Sequence, residues 1–123
     1  MMPFQYILAD LLARNENAIG VLFVDESGEA VDMAYNDLTP YQLKVVGAYL
    51  GIYLRQLERL VAEGDLGEPR LMHIAKDSMH IYAVPLPDGY FLAMVQRRPG
   101  MVAHARHTLE DAALQVRKAL FEN

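Results

Sequence analysis

The segment Ala18-Ile-Gly-Val-Leu-Phe-Val24 constrains this chain more than any other. It is rich in β-branched and aromatic residues and therefore reads as a strand. Side chains alternate along a strand, so Ile19, Val21 and Phe23 point one way and Leu22 and Val24 the other. Neither set contains a polar residue, and neither face can stay wet. A sheet built on this strand needs cover on both sides, which selects three layers over two.

The flanking sequence supplies that cover. Phe4, Ile7, Leu8, Leu11 and Leu12 recur at helical spacing, predicting a short amphipathic helix over about residues 3–15. Asp25-Glu26-Ser27-Gly28 is a turn, and Glu29–Tyr35 is the returning strand of a hairpin. Thr39-Pro40 is an N-cap followed by proline at the first helical position, opening a helix to about Glu63. Gly64–Pro69 stops it. Three strands follow: Arg70–Ala75 and Met79–Pro85, joined around Asp77-Ser78, then Tyr90–Gln96 after Pro87-Asp88-Gly89. Pro99-Gly100 breaks the chain before a last helix, about 101–121, with Met101, Val102, Ala105, Leu109, Ala112, Val116 and Leu120 on one stripe. The expected fold is α+β: a three-layer α/β/α sandwich in the order α-β-β-α-β-β-β-α, with a five-stranded antiparallel sheet. With no repeat or linker, residues 1–123 read as a single domain.

Composition removes several function classes. The net charge of −5 gives no electrostatic support for binding nucleic acid. The absence of Cys excludes disulfides, thiol nucleophiles and thiolate metal sites. No uncharged run reaches the length of a membrane span, and the N-terminal apolar stretch lacks a basic region and carries Asp10, so a cytoplasmic protein without membrane insertion is expected. Charge is uneven. Residues 1–40 hold one arginine against seven carboxylates, net −6, whereas residues 41–123 carry net +1. The acidic part reads as a solvated hairpin, or as a surface that attracts a basic partner.

The middle helix carries the functional signal. Val45–Leu54 is uncharged for ten residues. At about 100° per residue, Leu43, Val46, Leu50, Leu54, Leu57 and Val61 form one stripe for docking on the sheet. Tyr41, Val45, Tyr49, Ile52, Tyr53 and Leu60 make a second apolar surface, where a monomeric protein should be polar. Either the terminal helices or a loop cover it, or another protein does; the tyrosines favour another protein. Gly47 and Gly51 fit a close helix–helix approach or close packing on the sheet. The strand edges point the same way. Glu29 and Asp32 protect one edge, while Leu71-Met72-His73-Ile74-Ala75 has no charge and no proline and would pair with another chain. Tyr49, Tyr53 and Leu60, with Leu71, Met72, His73 and Ile74, form the expected homodimer interface.

Catalytic signatures are weak. There is no Walker A loop, and Asp25-x-x-Gly28 without one is a turn. Neither Ser27 nor Ser78 lies in Gly-x-Ser-x-Gly. His104, His107 and Asp111 share a helix face whose spacing is weakly specific for a metal, and they read as exposed polar residues. His73 and His80 should share a sheet face near Tyr82 as structural or interfacial groups, and Arg97-Arg98 reads as a solvated strand end. No enzyme activity, cofactor or metal is expected.

The element order, together with Ile19–Gly28, Ile81–Leu92 and the Ala105-Arg106, Leu109, Ala112-Ala113 pattern, resembles the Roadblock/dynein light chain family over nearly the whole chain, Phe4 to Leu120. The resemblance implies a dimer built on the third strand and middle helix. It also implies a regulator or scaffold of a Ras-like small GTPase, similar to the gliding-motility regulators that stimulate GTP hydrolysis by their partner. The middle helix is richer in tyrosine than the family pattern, so the partner's identity is not carried over. The surface expected to meet the GTPase comprises Tyr41, Val45, Ala48, Ile52, Arg55 and Arg59. The alternative is a PAS- or longin-like small-molecule sensor, or a general protein-interaction module.

Overall fold

The computed structural model describes residues 3–121. The elements follow the expected order: α1 (Pro3–Ala13), β1 (Ala18–Val24), β2 (Ala30–Tyr35), α2 (Pro40–Glu63), β3 (Met72–Ala75), β4 (Met79–Pro85), β5 (Phe91–Arg97) and α3 (Val102–Phe121). The five strands form one antiparallel sheet in the order β2-β1-β5-β4-β3. All seven residues of β1 are buried. On one face α1 and α3 pack against Val21, Phe23, Tyr82, Leu92 and Met94. On the other, α2 packs against Leu22, Val24, Phe91 and Ala93.

The strict alternation expected for β1 fails at one residue. Ile19 lies on the α2 face with Leu22 and Val24, not with Val21 and Phe23. The cause is a register shift between Ala18 and Gly20 opposite β5, which lets two successive residues face the same layer. Gly20 belongs to that face too, since a Cβ there would lie 2.6 Å from Leu43 Cδ2.

Local signals explain the helix boundaries. Thr39 and Gln42 form a capping box: Gln42 N donates to Thr39 Oγ1 at 3.1 Å, and Thr39 N donates to Gln42 Oε1 at 2.9 Å. α1 ends at Ala13, two residues before the expected boundary. Asn15 takes over there, donating through Nδ2 to Leu11 O at 3.0 Å and to Thr108 Oγ1 at 2.9 Å, which ties α1 to α3. The α3 stripe is buried at Ala105, Leu109, Ala112 and Val116, but Met101 precedes the helix and is exposed.

α2 follows β1, with Leu43 against Gly20, Gly47 against Leu22, and Gly51 against Phe91 and Gly28. A 24-residue helix is about 36 Å long, whereas a seven-residue strand is about 23 Å. The last turns of α2 therefore overshoot the end of the sheet. Burial stops at Leu54; Leu57 and Val61, expected on the docking stripe, are only half-buried. Gly47 and Gly51 are both buried against the sheet, which decides their role in favour of close helix–sheet packing.

Those two glycines should respond oppositely to alanine, which is better than glycine by about 1 kcal/mol in a helix interior. A Cβ at Gly51 meets nothing closer than 3.6 Å, while one at Gly47 lies 2.7 Å from Leu22 Cδ2 in the filled core. Gly51→Ala should stabilise the fold by up to about 1 kcal/mol, and Gly47→Ala should destabilise it by about 1–3 kcal/mol through overpacking. Urea unfolding of both variants checks this, and shifts of the same sign would refute it.

Candidate functional site

α2 has a second side that no described element covers. α1 and α3 lie on the opposite face of the sheet, so they cannot shield it. Tyr41, Val45, Ala48, Tyr49, Ile52, Tyr53 and Leu60 are all exposed. Tyr49 is 57% exposed, Ile52 53% and Tyr53 46%, large values for apolar side chains in mid-helix. This surface divides into two flanks. Ala48, Gly51 and Arg55 face the β1–β2 turn, where Gly28 Cα lies 3.9 Å from the Cβ position of Gly51. By helical geometry, Tyr49, Tyr53 and Leu60 lie on the other flank, towards the β4–β3 half of the sheet. The Tyr49 and Tyr53 rings, one turn apart, have centroids 6.5 Å apart.

α2 packs chiefly on β1 and β2, so Met72, Ile74, Met79 and Ile81 on the same face are only partly buried. β3 is an edge strand, as expected, with one side of its backbone paired to β4. It is shorter than the sequence reading, starting at Met72 rather than Arg70. Leu71 therefore lies outside the strand and packs towards the α1/α3 layer. The register brings His73 opposite Tyr82 and Ala75 opposite His80, around a turn closed by Lys76 N donating to Met79 O at 2.8 Å. His73, His80 and Tyr82 consequently share the α1/α3 face, opposite to Met72 and Ile74.

The two histidines are hydrogen-bonded, His73 Nε2 to His80 Nδ1 at 2.9 Å, and the His73 ring stacks on Tyr82 with centroids 4.7 Å apart. Tyr82 is fully buried and donates to Gln96 Oε1 at 3.1 Å; burial pushes its phenol up from the usual value. Burial holds the His73 imidazole below its ordinary value, and the neighbouring His80, Arg106 and Arg98 push it the same way.

On the outer flank, Arg55 does not project freely: its Nη2 donates to the Glu26 carbonyl, 29 positions away. The turn it grips is rigid in its own right. Asp25 Oδ1 accepts from Ser27 N at 2.9 Å, Ser27 Oγ at 2.7 Å and Glu29 N at 3.0 Å, while Gly28 has φ 88°. The Ser27 hydroxyl, then the Glu29 amide, lower the Asp25 carboxyl below its usual value, with Ser27 and Gly28 amides adding to this. Glu26, Ser27 and Gly28 thus join Ala48, Ile52, Arg55 and Arg59 around a cavity of about 270 Å³. The sequence reading did not join these turn residues to the α2 surface, because no spacing links position 26 to position 55. Exposed Arg59 stands at its rim.

Other sequence candidates resolve into structural roles. His104 Nε2 lies 2.8 Å from the Arg14 carbonyl, and Asp111 pairs with the Arg14 guanidinium at 3.2 Å, so both serve the α1–α3 contact. Arg97 ends β5 and pairs with Asp37 at 2.6 Å.

No family model and no curated protein matches this sequence. Solved structures do match its fold. The Roadblock/LC7 domain from Streptomyces avermitilis aligns with TM-score 0.81 at 20% identity, covering 94% of this chain and 95% of that one. Myxococcus xanthus MglB aligns with TM-score 0.87 at 12% identity, covering 98% and 96%. The gliding protein MglB from Thermus thermophilus aligns with TM-score 0.86 at 12% identity, covering 98% and 90%. The chain has the Roadblock/LC7 fold.

His73 gives this edge a pH dependence of definite sign. Its folded value is lowered from 6.5, so around and below that pH the unfolded chain binds more protons than the folded one. The contribution is complete above pH 6.5 and is lost as pH falls through the lowered folded value. Urea unfolding between mildly acidic and neutral pH should show His73→Gln less pH-dependent than the parent, and identical slopes would refute the assignment.

Proposed function

We propose that this protein is a dimeric, non-catalytic module that binds a Ras-like small GTPase in the cytoplasm and regulates or scaffolds it. The observation carrying this reading is the uncovered apolar side of α2, set beside the open edge of β3. Pairing β3 with its copy would continue the sheet and bring the Tyr49/Tyr53/Leu60 flank of each α2 towards the other. Leu71, Met72, His73 and Ile74 would then lie at the seam. Residues 72 and 74 on the α2 face would gain cover that the single chain does not supply. The outer flank of each α2, with Tyr41, Val45, Ala48, Ile52, Arg55 and Arg59, would stay open on the side away from the seam as a surface for the GTPase. An apolar centre with a flanking guanidinium suits a binding hot spot. Arg55 contributes by holding the β1–β2 turn in place at Glu26, and Arg59 is the exposed cation. Stimulation of GTP hydrolysis would come from positioning the partner's own catalytic groups. The small-molecule sensor reading gains no support: both described cavities are half-open grooves at the surface.

A stable interface buries about 800 Å² per partner, so sedimentation equilibrium at micromolar concentration should show a dimer of the 13.9 kDa chain. Replacing Tyr49 and Tyr53 together by Glu should dissociate it, because two carboxylates would be desolvated without partners. An unchanged dimer would remove these tyrosines from the interface.

The outer flank is tested separately. An Ile52→Asp, Arg59→Glu variant should stay folded and dimeric yet bind a Ras-like GTPase at least about tenfold more weakly, since one buried anchor is worth more than about 1.4 kcal/mol. Titration against a GTPase encoded beside this protein's gene, in GDP- and GTP-loaded states, measures it. Undiminished binding would exclude this flank, and loss of the dimer would mean that the two flanks had been interchanged.

A further inference from the structure

The overshoot of α2 roofs a groove that neither proposed interface uses. It has a volume of about 880 Å³ and runs between the last turns of α2, the loop at 64–70, the β4–β5 turn and the second half of α3. Its floor is apolar: Val84, Leu86, Ala113 and Leu114. Val84, Leu86 and Ala113 belong to the core, but Leu114 is 55% exposed in mid-helix. The rim carries five carboxylates, Glu58, Asp65, Glu68, Asp88 and Glu110, against two guanidiniums, Arg70 and Arg117. Ion pairs of 4 Å or less are absent among all seven of these groups. This concentration is created by folding, because residues 41–123 as a whole carry net +1.

Floor and rim together specify an occupant. We propose that the groove docks a basic amphipathic peptide segment of a partner protein, its apolar residues on Leu114 and on the partly open Val61 and Pro87, and its Lys or Arg side chains against the carboxylate rim. An acidic chain cannot supply this complement efficiently, so a second copy of net charge −5 is disfavoured. A small polar ligand is disfavoured as well. Such sites converge buried polar groups on the ligand, and the one unsatisfied buried side-chain atom among the described residues, Asn15 Oδ1, lies outside the groove. A helix laid in a groove reads through apolar anchors at i, i+3, i+4 and i+7, with the charged face left to the rim.

The proposal does not depend on the GTPase reading, and its test separates the two. The probe is a fluorescein-labelled amphipathic Leu/Lys peptide followed by anisotropy at physiological salt, with a Leu/Glu peptide as the opposite-charge control. Glu58→Lys, Glu110→Lys should weaken Leu/Lys binding at least about tenfold, whereas Glu16→Lys, Glu29→Lys, with the same change in net charge, should weaken it less than about twofold. Leu114→Asp, at an exposed position, should also cost at least about tenfold. All variants should sediment like the parent chain, and the groove variants Glu58→Lys, Glu110→Lys and Leu114→Asp should bind the GTPase as it does. Equal weakening by the two charge-reversed pairs would reduce the effect to attraction by net charge and overturn the proposal. So would unchanged binding by Leu114→Asp, equal binding of the Leu/Glu peptide, or self-association of the parent that Leu114→Asp abolishes, which would make a second copy the occupant.

Discussion

A strand dry on both faces forces a chain of this length to use its helices as cover. β1 contributes Ile19, Val21, Leu22, Phe23 and Val24 to two cores at once, all buried. At about 1.5–3 kcal/mol for each side chain removed from water, the gross gain is on the order of 10 kcal/mol, comparable with the whole net stability of a typical domain. α1 and α3 share one face, tied together by Asn15, Thr108, Arg14, His104 and Asp111. α2 alone serves the other. Gly47 brings it close to Leu22 and Val24 of β1, and Gly51 brings it close to Phe91 of β5.

That division of labour generates the exposed surfaces. One helix seated over β1 and β2 cannot also cover β4 and β3, so the apolar residues of that half stay partly open beside an unpaired edge. The same helix is longer than the strand it follows, so its end roofs a groove at the margin of the sheet. An apolar flank, an open edge and an overhang are thus three consequences of one packing arrangement. The flank and the edge lie together towards β3, and the overhang lies at the C-terminal end of α2.

Electrostatics distinguishes these sides. Arg55 commits a guanidinium to the Glu26 carbonyl, making the β1–β2 turn part of the outer flank of α2. The groove under the last turns of α2, which borders that turn at Gly89, gathers carboxylates from α2, the following loop, the β4–β5 turn and α3. At the β3 edge the His73 imidazole is lowered from its ordinary value by desolvation and by the neighbouring His80, Arg106 and Arg98.

Local chemistry was readable directly from the residues. Thr39-Pro40 marked the start of α2 through its capping box, Asp25 to Gly28 marked a turn, and the Asp77-Ser78 turn set a two-residue register that brought His73 beside His80. The wet-side tyrosines of α2 were legible because a 3.6-residue period assigns each residue an angle without reference to the rest of the chain. The sequence by itself therefore determined the order of elements, the need for two covering layers and the presence of an unpartnered helix side. Only tertiary structure decided that Ile19 turns to the α2 face, since a bulge depends on the partner strand. It alone assigned Gly47 and Gly51 to the sheet, tied Arg55 to residue 26, placed Leu71 outside β3 and assembled the acidic groove. Each of these rests on contacts between segments distant in sequence, whose distances periodicity and propensity do not encode.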